Sequence, residues 1–330
     1  MLAELHRKKR ETPTMGGLLI LFAMIVALLL WMDLQNSFTL ILLVVTIWLG
    51  LLGGVDDYLK MKHQNSKGLC AWAKLGGQLL LAMFLGLYLL CPECSELIHH
   101  GTYFSPPVAK DGHEMFLTQG VYAQYFLPFK KEAIFTLTGW GLIIGFVMTI
   151  VVVTGSSNAV NLTDGLDGLA AGSILLVALV LSIFAFLSNH IEIAHYLNIL
   201  YIGGSGEIAV YMCAMMGACL GFLWYNGHPA QVFMGDTGSL ALGGLLGITA
   251  ILLRREFLLV LVGGVFVLEA LSVILQVLSY RYRNKKRVFL CAPLHHHFEF
   301  KGWPEPKVVL RFWIIGLILA LFGIASLKFQ

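Results

Sequence analysis

The sequence predicts an all-α, polytopic membrane protein that forms one integral membrane domain over residues 1–330. It is 58% hydrophobic and only 12% charged, whereas about a quarter of the residues in a soluble domain are charged. Its mean hydropathy is +0.80. The apolar residues are gathered in runs of about 18 or more, which is long enough for a helix to cross a hydrocarbon core about 30 Å thick. A soluble globular domain is therefore excluded.

The apolar runs are expected to be helices, because lipid offers the backbone no hydrogen-bond partner and each run must satisfy its own groups. The first is not a cleaved signal peptide, since it lacks a short apolar region that ends in small residues. Nine transmembrane helices are predicted, over residues 15–32, 38–54, 72–91, 137–155, 169–188, 207–225, 233–253, 257–280 and 308–327.

The distribution of charge predicts the orientation of these helices. If the N-terminus is cytosolic and the spans alternate, most of the 22 lysines and arginines fall on the cytosolic side. The positive-inside rule favours this arrangement, although Arg254 and Arg255 on a tight outer turn run against it. Five aspartates at helix ends and three consecutive histidines then share that side, so we expect the active site on the cytosolic face. These residues are Asp56, Asp57, Asp164, Asp167, Asp236 and His295, His296 and His297.

Asp56 and Asp57 end the second predicted span. Carboxylates at a membrane edge are costly, which makes them functional candidates. Two adjacent carboxylates also repel one another, and this raises one pKa unless a cation or metal lies nearby. The alternative is a solvated helix end without a function.

The segment 161–168 (NLTDGLDG) is more specific. Its two Asp-Gly steps predict a tight turn, and Asp167 is expected to cap the helix that starts near Leu169. Capping does not account for Asn161, Thr163 and Asp164 in the same short loop. The glycines there would allow a ligand to approach the backbone closely.

The segment 233–239 (FMGDTGS) opens the seventh predicted span. Free backbone N–H groups at a helix start favour binding of a phosphate. A carboxylate beside them, Asp236, is a plausible Mg²⁺ ligand, because Mg²⁺ usually takes one or two carboxylates together with substrate phosphates. The alternative is that Asp236 is only a helix N-cap.

The histidine triplet lies in the last cytosolic loop, beside several lysines and arginines, which indicates an anionic substrate. Glu269, inside the eighth predicted span, is either a structural hydrogen-bonding residue or a functional one. Gln276 is expected on about the same face of that helix, nearer the cytosol. Together these features favour an Mg²⁺-dependent reaction of a phosphorylated compound, such as a nucleotide sugar, with a lipidic partner from the bilayer.

The longest break between spans, residues 92–135, is predicted to lie outside and to carry a re-entrant or interfacial element. Cys91 and Cys94, at its start, could form a disulfide but do not make a zinc site.

A transporter or channel with acidic gates, or a lipid-binding scaffold, is the competing function. The absence of a sequence repeat and the clustered Asp-Gly steps favour an enzyme instead.

The motifs resemble those of the polyprenyl-phosphate N-acetylhexosamine-1-phosphate transferase superfamily, and most closely its phospho-N-acetylmuramoyl-pentapeptide transferase branch. The histidine triplet separates this branch from relatives that use N-acetylglucosamine phosphate. The family usually has ten spans with an outside N-terminus, one more than is found here. The segments that carry the resemblance are 12–17 (TPTMGG), 55–58 (VDDY), 158–168 (NAVNLTDGLDG), 233–236 (FMGD) and 293–299 (PLHHHFE).

The resemblance implies transfer of phospho-MurNAc-pentapeptide from UDP-MurNAc-pentapeptide to undecaprenyl phosphate, giving lipid I and UMP during peptidoglycan synthesis. It implies a multi-pass protein of the bacterial inner membrane, surrounded by membrane lipids and assembled as a homodimer, with no nucleic acid as a partner. Direct attack by the acceptor phosphate is favoured over a phospho-enzyme, and which of Asp56 and Asp57 assists is left open.

The resemblance also assigns roles to residues. Asp56, Asp57, Asp236 and the histidines His295, His296 and His297 would be catalytic, with Asp236 also holding Mg²⁺ and Asp56 and Asp57 beside the lipid phosphate. The substrate-binding residues implied are Lys9, Thr14, Asp164, Asp167, Asn226 and Phe233 around the nucleotide, Gln276 and Ala292 around the sugar and diphosphate, Lys74 near the acidic pair, and Asn161.

Overall fold

The computed structural model of the protein describes residues 12–63, 68–91, 94, 108–109, 121–130 and 132–328. Within these ranges the chain is almost entirely helical. The helices are α1 (Gly17–Trp31), α2 (Ser37–Lys62), α3 (Ala71–Leu90), α4 (Leu142–Thr163), α5 (Leu169–Ser188), α6 (Ile191–Leu197), α7 (Gly206–Asn226), α8 (Gly235–Leu252), α9 (Glu256–Val262), α10 (Gly264–Tyr282), α11 (Leu294–Phe300) and α12 (Glu305–Ala325). The strands are β1 (Val108–Ala109), β2 (Gln124–Tyr125), β3 (Phe135–Thr136) and β4 (Tyr201–Ile202).

The predicted all-α membrane fold is confirmed. In the described part of the chain, eight helices have the length and composition of a membrane span, and α1 is a shorter apolar helix of 15 residues. One predicted span, 257–280, is divided. At Gly263 the backbone leaves helical geometry (φ −81°, ψ 18°), so α9 and α10 are separate helices. Glycine has a low helix propensity, and it marks the point where the run breaks.

The central helix of the bundle is α8, which is buried along nearly its whole length and packs against α2 and α4. Close packing is possible because its contact face is made of small residues. A Cβ at Gly243 would lie 2.6 Å from the backbone oxygen of Ser156 on α4. A Cβ at Gly53, on α2, would meet the backbone of Asp236. These glycines bring the acidic ends of α2 and α8 together.

All five aspartates singled out in the sequence lie at one end of the bundle, which we call the acidic face. Asp56 and Asp57 are near the end of α2, and Asp236 is in the first turn of α8. Asp164 and Asp167 lie in the loop between α4 and α5. The loops after α7 and α10 lie at the same face.

The opposite face carries short β pairings. β1 pairs antiparallel with β4, and β2 with β3. Most of the predicted outer segment 92–135 lies outside the described residues, and the re-entrant or interfacial element expected there stays a prediction; the described part holds β1, a 3₁₀ turn (Val121–Ala123) and β2. Cys91 and Cys94 are not joined in a disulfide, so the possible bond between them is not formed.

Arg254 and Arg255, which run against the positive-inside rule, are buried in protein on this opposite face. Nη1 of Arg254 lies 2.7 Å from Oε1 of Glu256, and its Nη2 donates to the backbone oxygen of Gln124 at 2.7 Å. Arg255 lies over the ring of Phe184, 5.1 Å from its centroid. The two arginines therefore act as internal packing groups, and they are not free loop charges.

Candidate active site

Three carboxylates meet at the centre of the acidic face. Asp56, Asp57 and Asp236 each offer an oxygen, and these oxygens all lie within 4.8 Å of one another. The close approach of α2 and α8 at Gly53 brings them together across the chain. Like charges at this spacing repel one another, and a nearby cation relieves that repulsion.

Two lysines supply that charge. Nζ of Lys74 lies 2.6 Å from Asp236 Oδ2 and 2.9 Å from Asp56 Oδ2. Nζ of Lys60 lies 2.7 Å from Asp56 Oδ2 and 3.1 Å from Asp236 Oδ1. The sequence interpretation missed Lys60 as a site residue. Its signal was the spacing of four residues from Asp56, which places both side chains on one helical face.

The adjacent aspartates have different partners. Oδ2 of Asp57 accepts hydrogen bonds from the backbone N of Thr237 at 2.8 Å and from its Oγ1 at 2.7 Å. Asp57 thus satisfies free N–H groups in the first turn of α8. The expected alternative role of Asp236 as an N-cap is not observed, because Met234 occupies that position and makes no side-chain cap. Oδ1 of Asp56 accepts from the backbone N of Leu69 at 2.6 Å.

A cleft of about 440 Å³ opens beside the carboxylate cluster. Polar residues from the α4–α5 loop, the end of α7 and the start of α8 form its walls, and Phe233 is its aromatic element. Its lining residues are Asn161, Asp164, Gly165, Leu166, Asp167, Asn226, Phe233, Gly235, Asp236 and His296.

The α4–α5 loop holds its shape through contacts with the loop after α7. Oδ2 of Asp167 accepts from the backbone N of Ala230 at 3.0 Å and lies 3.1 Å from Nδ1 of His228. Its expected role as cap of α5 is wrong: the N-cap is Gly168, whose left-handed backbone (φ 78°) turns the chain before the helix begins. The N–H of Gly168 donates to Oδ1 of Asn226 at 3.0 Å.

The other members of the cleft are tied to the cluster. Nδ2 of Asn161 donates to Asp236 Oδ1 at 3.0 Å and to Oγ of Ser239 at 2.9 Å. Burial, together with the negative charges of Asp236 and Asp57, raises the pKa of Asp164 to about 7. This carboxyl therefore changes its charge near neutral pH.

The three histidines separate in space. His296 lines the cleft, and its Nδ1 lies 2.6 Å from Oε2 of Glu299. His295 is fully buried against Glu269. Nδ1 of His297 accepts from the backbone N of Leu290 at 3.1 Å, so this ring stabilises the loop before α11. Consecutive residues on a helix project in different directions, and only one of the three enters the cleft.

Other predicted residues lie apart from the cluster. Gln276 and Ala292 line a separate hollow between α10 and the loop before α11. Nε2 of Gln276 donates to the backbone oxygen of Phe289 at 3.1 Å. Thr14 is exposed in an extended segment next to Pro13, whose oxygen accepts from the N of Phe233 at 2.8 Å. Lys9 lies outside the described residues.

A second group with metal-ligating atoms was not anticipated from the sequence. Oxygens of Asp167 and Glu305 and a nitrogen of His228 lie within 4.8 Å of one another at the rim of the cleft. Oε1 of Glu305 also accepts from the backbone N of Asp167 at 2.8 Å. Nothing in the local sequence of His228 or Glu305 signals this pairing, since 138 residues separate Asp167 from Glu305.

The carboxylate cluster fits a hard divalent cation better than the histidine-containing group does. Asp56, Asp57 and Asp236 offer only oxygens, which Mg²⁺ prefers. Of the three, Asp57 is engaged by Thr237, while Asp56 and Asp236 are held by the amines of Lys60 and Lys74. A cation could replace an amine at Asp56 and Asp236 without breaking the contact between α2 and α8.

Comparison with known proteins identifies the family. The model of glycosyl transferase family 4 matches residues 39–254, and phospho-N-acetylmuramoyl-pentapeptide-transferase signature 1 matches residues 9–21. The phospho-N-acetylmuramoyl-pentapeptide-transferase of Protochlamydia amoebophila (strain UWE25) is 58% identical to this chain. The alignment runs over 345 residues, gaps included, and covers 100% of this chain and 84% of that protein.

Two further relatives bear the same name. That of Desulfotalea psychrophila (strain LSv54 / DSM 12343) is 48% identical and aligns with 99% of this chain and 83% of its own length. That of Thermodesulfovibrio yellowstonii (strain ATCC 51303 / DSM 11347 / YP87) is 49% identical and aligns with 98% of this chain and 82% of its own length. The resemblance inferred from the motifs is confirmed. The chain belongs to glycosyl transferase family 4 and, within it, to the phospho-N-acetylmuramoyl-pentapeptide-transferases.

Proposed function

We propose that the protein transfers phospho-MurNAc-pentapeptide from UDP-MurNAc-pentapeptide to undecaprenyl phosphate, giving lipid I and UMP in peptidoglycan synthesis. The name of the relatives, phospho-N-acetylmuramoyl-pentapeptide-transferase, describes the group that we propose is transferred. The observation that carries the proposal is the meeting of Asp56, Asp236, Lys60 and Lys74 beside a polar cleft at a helix-bundle end. Phosphoryl transfer needs mainly positioning and charge neutralisation, and this cluster supplies groups for both.

Within this proposal, Asp236 and Asp56 would hold Mg²⁺. When bound, the ion would neutralise the diphosphate and stabilise the UMP leaving group. Lys60 and Lys74, released from the carboxylates, would bind phosphate oxygens of the two substrates. Asn161 keeps the Asp236 carboxylate in place through its hydrogen bond.

The acceptor phosphate is its own nucleophile in this scheme. Its second pKa is about 6, so at neutral pH it is largely dianionic and gains little from a general base. Asp56 would orient it, while Asp57 is engaged with Thr237. The competing route makes an aspartate the nucleophile and passes through a phospho-enzyme. A phosphorylated protein trapped without the lipid acceptor would establish that second route.

The cleft would hold the donor. Phe233 would stack with the uracil ring, and Asn226, Asp164, Asp167, Thr14 and Lys9 would surround the nucleotide. His296 would contact the diphosphate, and Gln276 and Ala292 in the neighbouring hollow would contact the sugar and peptide side. The position of the hollow beside α10, next to the cleft that His296 lines, supports a large donor that extends from the cleft toward α10.

The proposed setting is the bacterial inner membrane, with the acidic face in the cytosol and the protein assembled as a homodimer. Labelling of a single cysteine tests the orientation. Cys70 is exposed at the start of α3 and lies on the acidic face. In spheroplasts, a membrane-impermeant maleimide should fail to label a variant that keeps only Cys70, and should label it after the cells are opened. Labelling in intact spheroplasts would reverse the orientation. The mass of the purified protein in detergent tests the dimer.

The decisive assay is release of UMP by purified protein from UDP-MurNAc-pentapeptide, with and without undecaprenyl phosphate and with and without Mg²⁺. Release that requires both lipid and metal is expected. If folded protein in sealed vesicles moved substrate across the membrane without forming product, the transporter interpretation would replace the transferase.

A further inference from the structure

Glu269 and His295 form a fully buried pair beneath the candidate active site. Each side chain has an exposed fraction of 0%. Glu269 lies on α10, inside a membrane-spanning segment, and His295 lies in the first turn of α11. Neither lines the cleft. Burial of a carboxylate costs free energy unless the carboxylate is paired, so we ask what this buried pair does for the site.

The Glu269 carboxylate makes two contacts with His295. Its Oε1 accepts a hydrogen bond from the backbone N of His295 at 3.1 Å. Its Oε2 lies 3.2 Å from Nδ1 of the ring. An unprotonated Nδ1 would turn its lone pair toward a negative charge, so the contact favours the proton on Nδ1. Glu269 thereby sets both the start of α11 and the tautomer of His295.

The other ring nitrogen, Nε2, faces the α4–α5 loop. Among the described residues, neither ring nitrogen of His295 has a hydrogen-bond partner although both are buried: Nδ1 meets the Glu269 carboxylate as a close charge contact at 3.2 Å, and Nε2 has no such partner. It lies against Gly165: a Cβ added at Gly165 would clash with Nε2 and would come within 3.0 Å of Cε1. With the proton on Nδ1, Nε2 carries none, and no N–H donor is left unsatisfied against the loop.

His295 also supports the histidine that enters the cleft. The ring centroids of His295 and His296 are 4.2 Å apart, at an interplanar angle of 61°. His295 therefore touches both Gly165, which lines one side of the cleft, and His296, which lines another. A rotation or a change of tautomer in its ring would alter the distance between these two walls.

We propose that Glu269 is a positioning residue, which acts through His295 to hold the Asp164–Gly165 side of the cleft and His296 at their working separation. This inference rests on the proposed function. Because the pair reaches the cleft through Gly165 and His296, and not through the residues proposed to hold the uridine, its loss should impair the chemical step more than the binding of the donor. Misplacement of reacting groups by a small distance lowers turnover strongly.

Steady-state kinetics of UMP release test the proposal, with Glu269→Gln as the main variant. Glutamine keeps an oxygen for the backbone N of His295 but removes the charge that favours a proton on Nδ1. We expect kcat to fall about tenfold to a hundredfold, the scale known for carboxylates that orient metal-ligating histidines, with KM for the donor little changed. Ser272→Ala is the matched control. Ser272 is buried one turn further along α10, and its Oγ donates to the backbone oxygen of Glu269 at 2.7 Å. This control should keep wild-type kinetics.

A double-mutant cycle separates action through His295 from independent action. His295→Leu removes both ring nitrogens but leaves the Glu269 charge buried without its partner, so this variant could fold poorly. The double variant Glu269→Gln/His295→Leu contains no buried unpaired charge and can then be measured in its place. If Glu269 acts through His295, the double variant should lose no more activity than His295→Leu alone. Multiplying losses would overturn the proposal. So would a Glu269→Gln variant that raised KM alone.

A readout independent of turnover completes the test. In protein labelled with ¹⁵N-histidine, the spectrum should show His295 protonated at Nδ1 in wild type and shifted toward Nε2 in Glu269→Gln, with His295→Leu providing the assignment. A wild-type ring protonated only at Nε2 would contradict the inference. If wild-type protein released no UMP, the proposed function would fail, and this spectrum would still decide whether Glu269 controls His295.

Discussion

Two neighbouring aspartates on α2 perform different tasks because successive side chains on a helix diverge by about 100°. Asp57 turns toward α8 and binds the first turn of that helix through Thr237. Asp56 turns toward Lys60 and Lys74. Repulsion between the two carboxylates is thus relieved mainly by different partners: Asp57 lies 3.5 Å from Nζ of Lys60, whereas Asp56 lies within 2.9 Å of both amines that a substrate phosphate could replace.

Asp57→Asn and Asp56→Asn should therefore differ in stability. Asp57→Asn weakens charge-assisted hydrogen bonds to a buried helix start and should cost about 1–3 kcal/mol. Asp56→Asn should lower UMP release by a larger factor than it lowers the melting temperature. Thermal unfolding in detergent, measured beside UMP release, checks both. Equal stability losses in the two variants would contradict the division of roles.

Asp236→Asn should lower UMP release by at least about two orders of magnitude while the protein still folds. The variant keeps an acceptor for Asn161 but loses the charge that faces Lys60 and Lys74. Ser239→Ala, which removes the other partner of Asn161, is the control and should have a small effect. Unchanged activity with ordinary Mg²⁺ dependence would remove Asp236 from the metal site.

Asp164 should make the stability of the metal-free protein depend on pH. Its pKa is about 7 in the folded protein and near 4 when unfolded, so the folded state binds the extra proton. The stability that this proton contributes is complete below about pH 4 and is lost as the pH rises through about 7. Asp164→Asn should thus melt a few degrees higher than wild type at pH 8 and at the same temperature at pH 4. A difference that did not vary with pH would contradict the assignment. Chelator in both samples keeps metal binding out of the comparison.

At the scale of elements, small residues determine where helices meet. α8 can lie at the centre of the bundle because glycines on it and on α2 let backbones approach. That approach is what places Asp236 beside Asp56. The break at Gly263 has a similar effect: it separates α9 from α10, and α10 then carries Glu269 to His295.

Gly243→Ala should destabilise the protein by about 1–3 kcal/mol, because the new Cβ would lie 2.6 Å from the backbone oxygen of Ser156 and the helices would have to separate. Gly217→Ala, on α7, is the matched control, since a Cβ there meets nothing within 4 Å. It should leave stability unchanged or slightly higher. Melting curves in detergent compare the two, and equal losses would show that α8 tolerates expansion.

At the scale of the whole molecule, the two ends of the bundle are built differently. At the acidic face the buried carboxylates lie beside an open cleft and two partly exposed lysines, Lys60 and Lys74, whereas Arg254, Arg255 and Glu256 at the opposite face are enclosed in protein. Arg254 joins the α8–α9 turn to β2 through Gln124 and lies over Tyr125, 4.6 Å from the ring centroid. Its planar guanidinium holds several donors in a fixed fork and can also stack on an aromatic ring, a combination that a lysine ammonium lacks.

Arg254→Met should cost about 3 kcal/mol or more, because it leaves Glu256 buried without its partner. The double variant Arg254→Met/Glu256→Met should recover part of that loss. UMP release per folded molecule should remain near the wild-type value, since this pair lies at the opposite face from the carboxylate cluster. A loss of activity without a loss of stability would indicate coupling between the two faces.

Much of the fold was predictable from the sequence because membrane insertion depends on the composition of each run, one run at a time. The helices, their order and the collection of the aspartates at one face follow from hydropathy and charge. The broken span at Gly263 was missed, because one glycine hardly changes the hydropathy of a run. The cap of α5 was assigned to Asp167 by local rules, but that side chain binds the loop after α7 instead.

The sequence by itself determined that this is a helical membrane protein with a family-specific set of acidic and histidine motifs. The helices follow from the composition of each apolar run, and the motifs follow from the local order of residues. Only the tertiary structure decided which side chains meet. Asp57 binds Thr237 across 180 residues, Lys74 binds Asp236 across 162, and one histidine of three enters the cleft. Such contacts depend on how closely helices pack, and that is decided by small residues on faces whose partners cannot be identified from one segment alone.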